Sequence, residues 1–141
     1  MFKPEFDMKK PRTPRVPVTH GLKNIYAMDM HVPYQAACAG KFSVVGFGRM
    51  AAALMVVRSA LEMAQTKTPQ AVETLDAALV ILQQIRQRGD SSNVWEITEE
   101  ERPAILNGIE MAEQCIGTLT TAQLEQTADM LLRQVLGESA T

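Results

Sequence analysis

Residues 42–64 read FSVVGFGRMAAALMVVRSALEMA, the longest apolar run in the chain. From Arg49 onward, Met50, Leu54, Val57, Leu61 and Ala64 recur at intervals of three or four, which is one stripe of a helix. Met55 and Val56 fall off that stripe, so the helix is apolar on more than one side. Such a helix must be covered on several sides, so the rest of the chain has to fold around it. Arg49 interrupts the run, whose apolar part from 42 to 57 falls short of the roughly 20 residues that span a bilayer. The expectation is a core helix, not a membrane span.

The flanking segments supply helices to pack on it. Aromatic residues make up only 5% of the chain, while Ala, Leu, Met and Gln are plentiful, a mixture that favours helix over sheet. Thr68 and Pro69 read as an N-cap and a first helical position. Val72, Leu75, Leu79, Leu82 and Ile85 then form a stripe, and Gly89 is the expected stop. A short connection makes this helix and the preceding one an antiparallel hairpin. Thr98-Glu99-Glu100-Glu101 and Thr120-Thr121-Ala122-Gln123 both have the capping-box pattern. The helix after the first has Ile105, Ile109, Ala112 and Ile116 inward and ends at Gly117. The helix after the second runs to about Leu136 with Leu124, Ala128, Leu131 and Val135 inward, closed by Gly137. Upstream, residues 23–33 read as an extended apolar segment lying on the body. A short helix then begins at Pro33 and stops at Gly40.

The fold expected is all-α: a small four-helix bundle of two helical hairpins, preceded by an extended arm. The arm comprises residues 1–22 and the helical domain residues 23–141, a length suited to one domain. Pro4, Pro11, Pro14 and Pro17 keep the arm out of helix. Residues 1–23 carry six basic and two acidic side chains, net +4, and the remainder eight basic and fourteen acidic, net −6. Lys9, Lys10, Arg12 and Arg15 are therefore the candidate partner-binding residues, able to track a phosphate backbone or an acidic protein groove. No aromatic residue alternates with them to form a stacking platform. The charged, proline-rich start does not read as a secretory signal, and a cytoplasmic location is expected.

Three patterns invite chemistry. Gly46, Gly48 and Ala51 match the G-x-G-x-x-A turn of a dinucleotide fold, in which a strand over 42–45 would lead into a phosphate-binding helix. The second strand ending in an acid about 20 residues on is absent; the chain gives Thr68, Pro69 and another helix instead. Without that context, the glycines serve close helix approach or a kink. A helix-turn-helix over 35–53 would offer only Lys41 and Arg49 as basic contacts. His20 and His31 have no metal-binding companions at helical spacing, and Cys38 has only His31 near it in sequence. Both Cys38 and Cys115 read as reduced, buried thiols.

These readings point to a non-enzymatic interaction protein with no cofactor and no catalytic or metal-binding set. It would be a helical adaptor or inhibitor-like module that binds a protein partner or itself. The alternatives are a nucleic-acid-associated factor using the basic arm, and a nucleotide-binding enzyme using the Gly46/Gly48/Ala51 turn.

Overall fold

The computed structural model describes residues 16–64 and 68–140. Among them are five helices and no strand: α1 (His20–Cys38), α2 (Val44–Met63), α3 (Pro69–Ser92), α4 (Arg102–Ile116) and α5 (Thr121–Ala140). The all-α expectation holds. The number of helices and their pairing differ from the four-helix, two-hairpin scheme.

α2 is the hub. It packs against α1, α3, α4 and α5, and buries Met50, Ala53, Leu54, Val56, Val57, Ala60 and Leu61. By length and composition alone it is apolar enough to cross a membrane. Here Val56, which the stripe leaves outside, is covered by the fold, while Val44, Val45, Met55 and Met63 stay exposed.

α1 replaces the extended segment expected over 23–33. Thr19 caps it, its hydroxyl accepting the Leu22 N–H at 3.1 Å, and the helix runs through Pro33 without ending. Proline inside a helix removes a hydrogen bond and typically costs about 3 kcal/mol or more. The compensation is tertiary: Pro33 is buried, and its Cβ lies 3.3 Å from where a side chain at Gly46 of α2 would begin. Gly46 is thus the point of closest approach of α1 to α2. The alternation of Met28, Met30 and Val32 reads locally as extended, but only Met30 of the three is buried. Of the arm expected over residues 1–22, residues 16–19 lie outside helix, residues 20–22 belong to α1, and residues 1–15 lie outside the described residues. Pro17 bridges to Thr120, and the Thr121 N–H donates to the Val16 carbonyl at 3.0 Å, which fastens this segment to the start of α5.

α3 and α4 form the most intimate antiparallel pair. A Cβ on Gly108 would lie 2.4 Å from the Ala78 Cβ, so the two backbones approach as closely as glycine permits. Gly89 does not stop α3. The indole of Trp95 lies on it, 2.4 Å from where a Cβ would stand, and the helix continues to Ser92. Asn93 ends it in the left-handed conformation (φ 60°), donating its N–H to the Gly89 carbonyl at 2.7 Å. Trp95 also meets Phe47 of α2, ring centroids 5.3 Å apart.

The expected hairpin of α4 with α5 does not form: of the other described helices α5 packs on α2 alone. The capping box at its start is complete, Thr120 N–H to Gln123 Oε1 at 2.9 Å and Gln123 N–H to Thr120 Oγ1 at 3.1 Å. Leu124 and Thr127 are buried, Ala128 and Leu131 half-buried. Val135, expected to face inward, is exposed, and α5 continues past Gly137 to Ala140. The inner faces of α3 and α4 are used on each other and on α2, which leaves α5 only the remaining side of α2.

Candidate docking face

α1 and α2 lie antiparallel, joined by residues 39–43, and leave an open groove of about 440 Å³ between them. Its α1 wall is Ile25, Tyr26 and Asp29; its α2 wall is Gly48, Arg49, Ala52, Ala53 and Val56. The groove exists because α2 presents glycine and alanine here. No atom lies within 4 Å of where a Gly48 side chain would begin, so packing does not demand glycine at this position.

Exposed apolar side chains extend both walls. Ile25, Met28 and Val32 stand at i, i+3 and i+7 on α1, and Val45 lies one turn before Gly48 and Arg49 on α2. Met55 is a further exposed apolar residue of α2. Asp29 and Arg49 form no ion pair with another described residue. The Tyr26 hydroxyl is held above its ordinary pKa of 10.0 by burial first, then by the negative charges of Asp29 and Glu125. It is a neutral phenol at physiological pH, an amphipathic side chain on an otherwise apolar lip.

A second apolar surface lies at the end of α5. Leu132, Val135 and Leu136 are 56%, 57% and 60% exposed. Their i, i+3, i+4 spacing puts them on one face. Asp129 and Arg133 flank that face and pair with each other at 3.1 Å, both largely exposed.

The remaining polar groups brace the fold. Arg58 joins α2 to α3, its Nε donating to Asp76 at 2.9 Å, and also meets Glu62 at 2.6 Å. The Asp76 hydrogen bond leads in raising the Arg58 pKa above its ordinary value. Arg88 donates to both carboxylate oxygens of Glu101, at 3.0 and 2.9 Å, and to the Glu96 carbonyl at 2.9 Å. Glu101 also accepts the Thr98 N–H at 3.0 Å, the half of the capping box that forms. Burial opposes ionisation of Glu101, but the hydrogen bonds from Arg88 and Thr98 outweigh it, and its pKa is lowered. His31 Nε2 lies 3.0 Å from Glu113 Oε1 and links α1 to α4, so Glu113 is not merely a solvated charge.

The patterns that invited chemistry are taken apart by this geometry. Gly46, Gly48 and Ala51 all lie within α2, and the Ser43 hydroxyl already accepts the Gly46 N–H at 3.0 Å. Residues 44 and 45 are helical, so no strand leads into the glycines and the phosphate-binding turn is not formed. The helices flanking the would-be helix-turn-helix are joined by residues 39–43, a longer connection than the roughly three or four residues of that motif. Cys38 and His31 are seven residues apart on α1, about 10 Å along the axis, too far for a nucleophile and its base. Both cysteines are free, but Cys38 is exposed rather than buried. Burial pushes the Cys115 thiol pKa up. Among the described residues no His, Cys, Asp and Glu cluster has metal-binding geometry. Lys9, Lys10, Arg12 and Arg15 lie outside the described residues.

The groove forms only because residues 23–33 are helical, where local alternation predicts an extended segment. The visible signal was Ile25, Met28 and Val32, apolar at helical spacing beside the Gly48 and Ala52 side of α2. Comparison with protein-family models, with curated proteins and with solved structures finds no significant match to any of them.

Proposed function

We propose that the protein is a non-enzymatic helical interaction module whose α1/α2 groove binds an amphipathic helix. The observation that carries this reading is the groove itself, with an acid and a base that have no ion-pair partner among the described residues, between walls that continue into Ile25, Met28, Val32 and Val45. A helix docked there inserts apolar anchors at i, i+3, i+4 spacing between the walls and offers charges to Asp29 and Arg49. Burying those exposed side chains supplies the driving force, and the two charges set orientation and register. The burial of α2 on its other sides supports a role as core helix in a cytoplasmic protein. The test is a blocked groove. Ala52→Trp places a large ring in it from an exposed position, so the fold should be retained. Cross-linking followed by mass spectrometry should find one partner helix mapped to α1 and α2 in the wild type and lost in Ala52→Trp. A partner retained by the blocked variant refutes the reading.

The net +4 charge of residues 1–23 supports a second reading, a phosphate-tracking arm on a nucleic-acid-associated factor. Filter binding across salt concentrations, with and without residues 1–15, checks it: equal affinity and salt slope for the two chains dismiss the arm.

A further inference from the structure

We infer that the helix seated in the α1/α2 groove is the end of α5 from a second copy of this chain, exchanged reciprocally in a two-fold dimer. This rests on the docking reading above and names its occupant.

The occupant needs three properties, and the end of α5 has all of them. It must be a helix whose apolar anchors are free: Leu132, Val135 and Leu136 stand on one face and are more than half exposed. It must project from its own body: of the other described helices α5 packs on α2 alone, its first two turns lying against Ala60, Met63 and Ala64, and residues 16–17 hold only its start. It must match the groove in charge. The groove offers one acid and one base, Asp29 and Arg49, without an ion-pair partner among the described residues. α5 carries Arg133 and Asp129 beside its anchors, and among the described residues they pair with each other. Docking exchanges that solvent-exposed pair for Arg133 with Asp29 and Asp129 with Arg49. An exposed i, i+4 pair contributes little to a helix, so opening it costs little. Groove and anchor are different surfaces of one chain, so closure at a dimer requires a two-fold axis that sets each copy's α5 end in the other's groove; without it the same contact would propagate into larger assemblies.

Sedimentation velocity on the full chain over a range of concentrations reads the assembly. The wild type should be a dimer. Leu136→Glu and Ala52→Trp should each weaken it by roughly tenfold or more, as losing an interface anchor does. Both residues are exposed, so circular dichroism and melting should match the wild type. Complementation decides the occupant. A Leu136→Glu chain keeps its groove and an Ala52→Trp chain keeps its α5 end, so mixing the two should restore a heterodimer through the one intact contact. Two helices α5 packed on each other would be lost in Leu136→Glu, unaffected by Ala52→Trp and not restored by mixing. That pattern, or a monomeric wild type, overturns the inference. A monomeric wild type that still yields a cross-linked partner sensitive to Ala52→Trp overturns the occupant alone and leaves the docking function standing. As a further check, Asp29→Arg with Arg133→Asp in one chain should dimerise better than either single variant.

Discussion

Gly48 and Gly108 both lie inside helices, and replacing each with alanine should move stability in opposite directions. Glycine in a helix interior is about 0.8–1.0 kcal/mol less favourable than alanine, because it loses more backbone freedom on folding. At Gly48 a new Cβ meets nothing within 4 Å, so Gly48→Ala should stabilise by about that amount. At Gly108 the same atom would stand 2.4 Å from the Ala78 Cβ, where ordinary contact begins at 3.4 Å. The Ala78 Cβ is bonded directly to backbone and has no rotamer with which to retreat, so α3 and α4 must part by about 1 Å. Overpacking of that kind costs typically about 1–3 kcal/mol. The propensity term is common to both variants and cancels in their difference. Urea denaturation should therefore place Gly48→Ala above Gly108→Ala by about 1–3 kcal/mol. Adding Ala78→Gly to Gly108→Ala should recover stability beyond the sum of the single changes, since it removes the opposing atom. Equal stability of the two alanine variants, or strict additivity in the double variant, would refute the close approach of α3 and α4.

Other expectations follow from single contacts. Gly89→Ala should displace the indole that lies on it; Trp95 is the lone tryptophan, so its emission should shift red while the helix content stays near native. Glu101→Gln should destabilise by about 1–3 kcal/mol, because it leaves the half-buried Arg88 without its charged partner. The folded-state pKa of Glu101 is lowered below its ordinary 4.5, so its contribution is complete above that value and is lost as pH falls through the lowered one. Acid titration of the wild type against Glu101→Gln should show the stability gap closing only in that acidic window. A gap that widens on acidification contradicts the pairing. With a thiol reagent, the exposed Cys38 should react at once in the native protein and Cys115 only on unfolding.

Much of the architecture was legible along the chain. The buried residues Met50, Leu54, Val57 and Leu61 of α2, and Ile105, Ile109, Ala112 and Ile116 of α4, follow from spacing alone, since a stripe at helical period must face a neighbour. The capping box at Thr120 was equally readable, because its partners lie three residues apart. The misreadings share a cause. Pro33 and Gly89 both carry local boundary signals, a helix start and a helix stop, and each is kept inside a helix by a contact from outside that helix: Pro33 against Gly46, Trp95 against Gly89. Local rules describe a residue's own conformational cost, and they cannot see a tertiary contact that offsets it.

By itself the sequence determined that the chain would be helical and that the apolar run of residues 42–64 would lie at its centre, since those properties depend on composition and short-range periodicity. It also held the Gly46/Gly48/Ala51 string, whose meaning depended on whether the residues before it formed strand or helix. Only the tertiary structure decided that. In it Gly46 admits Pro33 and Gly48 opens the floor of a groove, two different uses of the same missing side chain. The choice of α5's partner was likewise tertiary. Its apolar stripe is narrow, and only the prior use of α3 and α4 on each other leaves it a single side of α2 and a free end.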